Sequence, residues 1–246
     1  MDSVAQRLVA RVKPLVPVSV KRTVKRRIPP RYHGYFDPDW HRRTIGYVEE
    51  WDEHGQAQLD YLTGQGLKPH HHLLDIGCGP LRGGVHFIRY LETGRYVGVD
   101  KNAAVLDAAR DVELERYGLR EREPRLVAME NFDFPSLGRT FDFAWAQSVF
   151  THLVFNSIIR CVMNIEKVLA DGGRFYATFY ENELGKFNLD PVRQSEQVTS
   201  YFDRDPYHYD LAAFESICEG TRMTVRYLGG WNNPRNQKML VFRKAG

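Results

Sequence analysis

From about residue 70 onward, apolar positions switch between the two rhythms expected of strands and helices. His72-Leu-Leu-Asp-Ile76 is a short apolar run of the kind a buried strand requires, and a glycine-rich turn follows, Gly77-Cys-Gly-Pro-Leu-Arg-Gly-Gly84. Val85, Ile88 and Leu91 then recur at helical spacing, with Phe87 and Tyr90 widening the apolar face. Tyr96-Val-Gly-Val-Asp100 predicts a second strand that ends in an acid. The Ala-, Leu- and Glu-rich run Ala103–Tyr117 predicts the next helix. Arg125–Met129 and Phe141–Ala146 predict a third and a fourth strand. Ile158, Val162, Ile165 and Leu169 mark a helix that ends at Asp171-Gly-Gly173, and Arg174–Tyr180 predicts a fifth strand. Thr224–Leu228 and Lys238–Arg243 predict the last two strands, with a helix near Leu211–Cys218.

Strands alternating with helices imply an α/β fold, a doubly wound and mostly parallel sheet covered on both faces. Ligands of such sheets sit at the carboxyl ends of the strands, near the switch in strand order. Gly77, Gly79, Asp100, Glu130 and Gln147 all follow predicted strands, so they share that rim.

Gly77 and Gly79 remove side chains where the backbone must turn sharply into a helix, and a ligand can approach the main chain there. Asp100 follows Gly79 by 21 residues, at the end of the neighbouring strand, where an acid can accept hydrogen bonds from two ribose hydroxyls. Those features are shared with nicotinamide-binding proteins. Asp75 separates the two: a carboxylate beside the turn repels a pyrophosphate and suits the ammonium group of a methionine moiety. Leu74-Asp-Ile-Gly-Cys-Gly79 resembles the first motif of class I S-adenosylmethionine-dependent methyltransferases. Tyr96–Asp100 resembles their second motif, Phe141-Asp-Phe-Ala-Trp-Ala-Gln147 their fourth, and Val168-Leu-Ala-Asp-Gly-Gly-Arg-Phe175 their helix, turn and fifth strand. The resemblance implies a seven-stranded sheet in the order 3-2-1-4-5-7-6 with the last strand antiparallel, and S-adenosylmethionine as methyl donor. It also implies residue roles. Asp75, Gly77, Cys78 and Gly79 border the methionine and ribose, Asp100 and Lys101 the ribose. Glu130, Asn131 and Phe132 border the adenine, and Gln147 the methionine end. Pro80-Leu-Arg82 departs from the small or acidic residues of many relatives.

The segment before the sheet divides in two. Residues 1–31 carry nine Lys/Arg against the single Asp2, a charge of +8, while the remaining 25 basic and 30 acidic residues leave −5. Such an arm suits an anionic lipid surface or a polyanion, or it is a solvated extension; the second reading is preferred. Residues 32–69 form an aromatic, helical extension containing Trp40, Trp51, Gln56 and Tyr61. A methyltransferase domain then occupies 70–246, with an acceptor-side insertion at about 181–209. At 43% hydrophobic and 26% charged residues, with no apolar run near the roughly 20 that span a bilayer, the chain reads as a cytoplasmic globular protein. The arm is its one route to peripheral membrane contact. Cys78, Cys161 and Cys218 show no paired spacing, which argues for a reducing compartment.

Methyl transfer to oxygen or nitrogen also needs a place for the acceptor's proton. His152, in Gln147-Ser-Val-Phe-Thr-His152, and His208, in Asp205-Pro-Tyr-His-Tyr209, are the candidate bases, and Tyr180, Glu181, Tyr207 and Trp231 the candidate acceptor wall. His70-His-His72 alternates faces on an extended chain and has no matching Cys/His cluster, so no metal is expected. The leading reading is methylation, on oxygen, of a small-molecule or saccharide acceptor. An RNA methyltransferase, a nicotinamide-dependent oxidoreductase and a non-catalytic donor-binding relative are the alternatives. Nucleic acid is not favoured, because the body of the chain is acidic.

Overall fold

The computed structural model describes residues 37, 39–45, 50–185, 188–231 and 233–245. The basic arm 1–31 and residues Tyr32, Tyr35, Phe36 and Tyr47 lie outside the described residues. Helix α1 (Trp51–Gly64) leads into strand β1 (Leu73–Ile76), helix α2 (Gly84–Tyr90) and strand β2 (Tyr96–Asp100). Helix α3 (Ala103–Ala108) runs on through a π-helical turn, Ala109–Glu113, into Leu114–Arg116. Strands β3 (Arg125–Ala128) and β4 (Phe141–Ala146), helix α4 (Phe155–Val168) and strand β5 (Leu169–Glu181) follow. The insertion contributes β6 (Val192–Arg193), β7 (Thr199–Ser200) and β8 (His208–Tyr209). Helix α5 (Leu211–Cys218), β9 (Met223–Gly230) and β10 (Lys238–Lys244) complete the fold.

The main sheet runs β3-β2-β1-β4-β5-β10-β9, with β10 antiparallel to both neighbours and β8 added beside the end of β5. This is the expected order, with β9 and β10 as the sixth and seventh strands. Period-two alternation sorts the side chains into two cores. Leu74, Ile76, Val97, Val99, Ala144 and Phe175 face one side, against Ile158, Val162 and Ile165 of α4 and Phe214 of α5. Leu73, Tyr96, Phe143, Trp145, Tyr176 and Val241 face the other, against Leu62 of α1, Val85, Phe87 and Ile88 of α2, and Leu106 of α3. Two polar bonds fix α1 on the sheet: Trp145 Nε1–H donates to Gln58 Oε1 at 2.9 Å, and Arg174 donates to the Gln65 carbonyl. Tyr61 meets Trp145 at a tilt and Trp231 edge-on, so the aromatics of this helix anchor it.

One element boundary differs from expectation. Helix α4 ends at Val168, and Leu169 already pairs with Phe141, while the next pair, Phe143 with Arg174, skips the intervening residues. Asp171-Gly-Gly173 is therefore a turn bulged within the strand, with Gly172 at φ +73°, not the end of the helix.

Candidate functional site

The carboxyl ends of β1, β2 and β4 place the sequence-derived residues on one rim, held by short backbone contacts. Gly77 and Gly79 adopt φ of +69° and +52°, conformations that side chains resist. Space is also short: a Cβ on Gly77 would lie 2.6 Å from Val149 Cγ2, and one on Gly79 3.3 Å from Ile45 Cγ2. Part of the need for glycine is thus internal, from the loop after β4 and from the segment 39–45 that roofs the turn.

The first three N–H groups of the turn are spent on β2. Gly77 and Cys78 both donate to the Val99 carbonyl, at 2.8 and 3.1 Å, and Gly79 donates to Asp100 Oδ2 at 3.0 Å. A pyrophosphate cradle needs such donors unspent. Here the donors of Gly77–Gly79 are consumed by β2, so these three offer none to a ligand. Asp100 also takes the Asn102 N–H on Oδ1 at 2.8 Å, and each carboxylate oxygen keeps a further lone pair for a ribose hydroxyl.

Asp75 is buried beneath the turn, where Tyr96 Oη–H donates to it at 2.7 Å. Burial pushes its carboxyl up to about 7; the Tyr96 bond opposes that shift and the charge of Asp100 adds to it. Cys78 is buried beside it, its thiol pushed well up by burial and by the Asp75 and Asp100 charges. Lys101, Glu130 and Asn131 are exposed, and Phe132 is half-buried at φ +57° against Phe134. The Met129 N–H donates to the Asp100 carbonyl at 2.9 Å, which brings Glu130 next to the end of β2.

At the end of β4, Gln147 Oε1 accepts from Arg82 at 3.5 Å, and its Nε2 donates to Ser148 Oγ at 2.8 Å. The network runs on through Ser148 and buried Gln237 to Thr178 and Tyr180 of β5. The two candidate bases take different places. His152 is half-exposed on the loop after β4, its Nδ1 2.5 Å from Asp205 Oδ1 in the insertion. His208 is 3% exposed in β8, with Nδ1 3.1 Å from Ser200 Oγ, and burial lowers its imidazole. The insertion is tied to the loop after β4 by the Tyr207 N–H, which donates to the Thr151 carbonyl at 2.8 Å. Tyr207 stacks on Tyr209, Tyr180 is buried at the end of β5, and Glu181 Oε2 accepts from Tyr227 Oη at 2.6 Å. Trp231 stands apart from these, packed on Tyr61 and Trp145 beside a pocket.

Residues that sequence reasoning passed over also gather here. Glu113, fully buried in the π-helical turn, binds His41 Nε2 at 2.5 Å, Arg42 Nε at 2.7 Å and Arg116 at 3.2 Å, and so latches the segment 39–45 over the rim. Burial alone would raise its carboxyl, but the Arg42 and His41 hydrogen bonds prevail and bring it to about 2. Gln58, rather than Gln56, faces the pocket; Gln56 binds His86 and Asp60 instead. No periodicity signals such partners, because each is paired across a long sequence separation. The ring of His71 packs on Phe143 and that of His72 meets Arg95, and no group of three metal-binding side chains occurs among the described residues. No helix among the described residues is long and apolar enough to cross a membrane.

Comparison with known proteins agrees with this geometry. A family model described as a methyltransferase domain matches residues 74–175. An uncharacterized methyltransferase of Schizosaccharomyces pombe is 27% identical over 106 residues, which are 41% of this chain and 37% of that protein, so the match spans little more than a third of its length. Among solved structures, magnesium protoporphyrin IX methyltransferase from Synechocystis PCC 6803 with bound S-adenosylmethionine superposes with a TM-score of 0.59 at 14% identity, covering 92% of this chain and 97% of that one. An amino pentose methyltransferase from Micromonospora echinaspora, also with S-adenosylmethionine bound, gives 0.58 at 17% identity, covering 82% and 94%. At these identities the structural likeness speaks for the fold, and the family match for the domain. Residues 74–175 thus match a methyltransferase domain, and the fold is one that S-adenosylmethionine-dependent methyltransferases share.

Proposed function

We propose that the chain transfers a methyl group from S-adenosylmethionine to a hydroxyl oxygen of a small-molecule or saccharide acceptor. The observation that carries this reading is the His152–Asp205 pair, 2.5 Å apart, which joins the loop after β4 to the insertion. Asp205 takes the Nδ1–H, which leaves Nε2 as the lone-pair acceptor for the proton of an alcohol. His208, buried and bound to Ser200, has no such opening, so proton transfer is assigned to His152.

When bound, S-adenosylmethionine supplies a methyl group already activated on sulfur. The chain's own residues then have three tasks. Asp100 accepts from the ribose hydroxyls, and Asp75, with Gln147, faces the amino-acid end. Glu130, Asn131 and Phe132, with Lys101, border the base and ribose, while the residues of the insertion and β5 (Tyr180, Glu181 and Tyr207) hold the acceptor for in-line attack. His152 removes the proton. The sugar methyltransferase among the structural neighbours supports the saccharide class of acceptor, and the acidic body of the chain speaks against RNA. A screen of neutral and charged monosaccharides with labelled donor tests the reading: incorporation into a hydroxyl by wild type, lost in His152→Ala, is the expected result. Transfer only to RNA, or to nitrogen alone, would replace it.

A further inference from the structure

The segment 39–45 belongs to neither core: none of its residues joins the apolar clusters on the two faces of the sheet, and its single turn, Arg42–Thr44, buries no side chain. Charge holds it instead. His41 and Arg42 both end on Glu113, and Arg116 ties the same carboxylate to Asp39, at 2.6 Å. Arg43 donates to Asp37 at 2.6 Å, and the Arg42 guanidinium lies 4.4 Å over the Trp51 ring. A segment with ion pairs and few apolar contacts belongs to the low end of local stability, where moving elements are found. Glu113 closes the π-helical turn Ala109–Glu113, a distortion common at functional sites. Two of its partners come from the segment and the third, Arg116, from its own helix. The buried carboxylate therefore serves the segment and no strand of the sheet.

The far end of the segment reaches the donor turn. Ile45 Cγ2 lies 3.3 Å from where a Cβ on Gly79 would stand, and the Ile45 carbonyl accepts from Arg235 at 3.4 Å, on the loop between β9 and β10. Gly79 is the residue whose N–H binds Asp100, the acceptor for the ribose hydroxyls. The segment thus runs from the latch on Glu113 to the glycine turn, across the donor half of the rim. We propose that residues 39–45 form a strap over the donor site, and that Glu113 is the positioning residue that sets how long the donor, or its spent product, stays bound. The proposal rests on the methyltransferase reading above and adds a gate to it: the latch opens for exchange and closes during transfer, when water must be kept out. Glu113 acts through His41 and Arg42 rather than on the donor itself. Because the segment supplies those two partners, lifting it admits water to the carboxylate, and the latch can open and re-form.

The test loads the full chain with radiolabelled S-adenosylhomocysteine and chases it with excess unlabelled ligand, so that release is read as a rate; equilibrium titration reads the affinity. Wild type, Glu113→Gln, the charge-keeping Glu113→Asp and Ile45→Ala are compared at a temperature where melting curves show each to be folded. Ile45→Ala leaves the ion-pair cluster intact and carries the test alone if Glu113→Gln does not fold. Expected is release at least about tenfold faster in Glu113→Gln, and also faster in Ile45→Ala. Kd should rise by a smaller factor, because a loose strap also admits the ligand faster. Glu113→Asp should fall between wild type and Glu113→Gln. A purely structural role for Glu113 would lower the melting temperature and leave release unchanged. Release at the wild-type rate by every folded variant would overturn the strap and leave the methyltransferase reading standing. A wild type that binds no S-adenosylhomocysteine would remove that reading, and the strap's role with it.

Discussion

The two halves of the rim are built in opposite ways. On the donor half, the turn after β1 and the end of β2 lock each other within 25 residues: three N–H groups of Gly77–Gly79 end on Val99 and Asp100. On the acceptor half, the contacts that close it join distant segments. His152 reaches Asp205, and Glu181 reaches Tyr227. A locally closed site resists change and takes one ligand, while a site assembled from remote loops can be altered without disturbing the sheet. The first is suited to a constant donor and the second to a variable acceptor.

That contrast can be broken at His152. Replacing it with alanine is expected to lower methyl transfer by about 10²–10⁴-fold with donor affinity unchanged, measured as turnover and as calorimetric donor binding. A loss of donor binding instead would show the halves to be one unit. A large effect of another kind is expected at Glu113. Glu113→Gln leaves His41 and Arg42 with a weakened partner in a buried cluster, and chemical denaturation should show a loss of about 3–5 kcal/mol. With the carboxyl lowered from 4.5 to about 2, the wild-type contribution is fully present above pH about 4.5 and is lost as pH falls toward 2. An acid-unfolding midpoint that does not move in the variant would refute this role.

The donor half makes a gentler prediction. Asp75, raised to about 7, must ionise to face an ammonium group, so donor affinity should rise by roughly tenfold between pH 6 and pH 8. Asp75→Asn should flatten that profile; a wild-type profile that is already flat would remove Asp75 from donor binding. The smallest effect is expected at Tyr227→Phe, which deletes the hydrogen bond to Glu181. A cost of about 1 kcal/mol in stability, with a changed acceptor KM and an unchanged donor Kd, is anticipated.

How far the sequence reaches follows the same division. Strands β2 and β4 and helix α5 fall where the apolar pattern puts them, and the strand order follows from the motifs. Asp171-Gly-Gly173 misleads because a helix stop and a strand bulge use the same residues for the same reason, a positive φ. The strands of the insertion, β6 to β8, are two residues each, too short for period two to register. Glu113 looks like any solvated helical acid until the π-helical turn aims it at His41 and Arg42. Arg235 carries no local signal at all: its surroundings come from α1 and the start of α2, nearly the whole domain away in sequence.

The central claim is that the turn after β1 and Asp100 hold S-adenosylmethionine. Isothermal titration of wild type and Asp100→Ala with S-adenosylmethionine, S-adenosylhomocysteine and NADH tests it directly. Binding of the first two but not NADH, weakened by roughly 100-fold in the variant, is the predicted result. Binding of NADH alone, or of S-adenosylmethionine equally to both proteins, would contradict it.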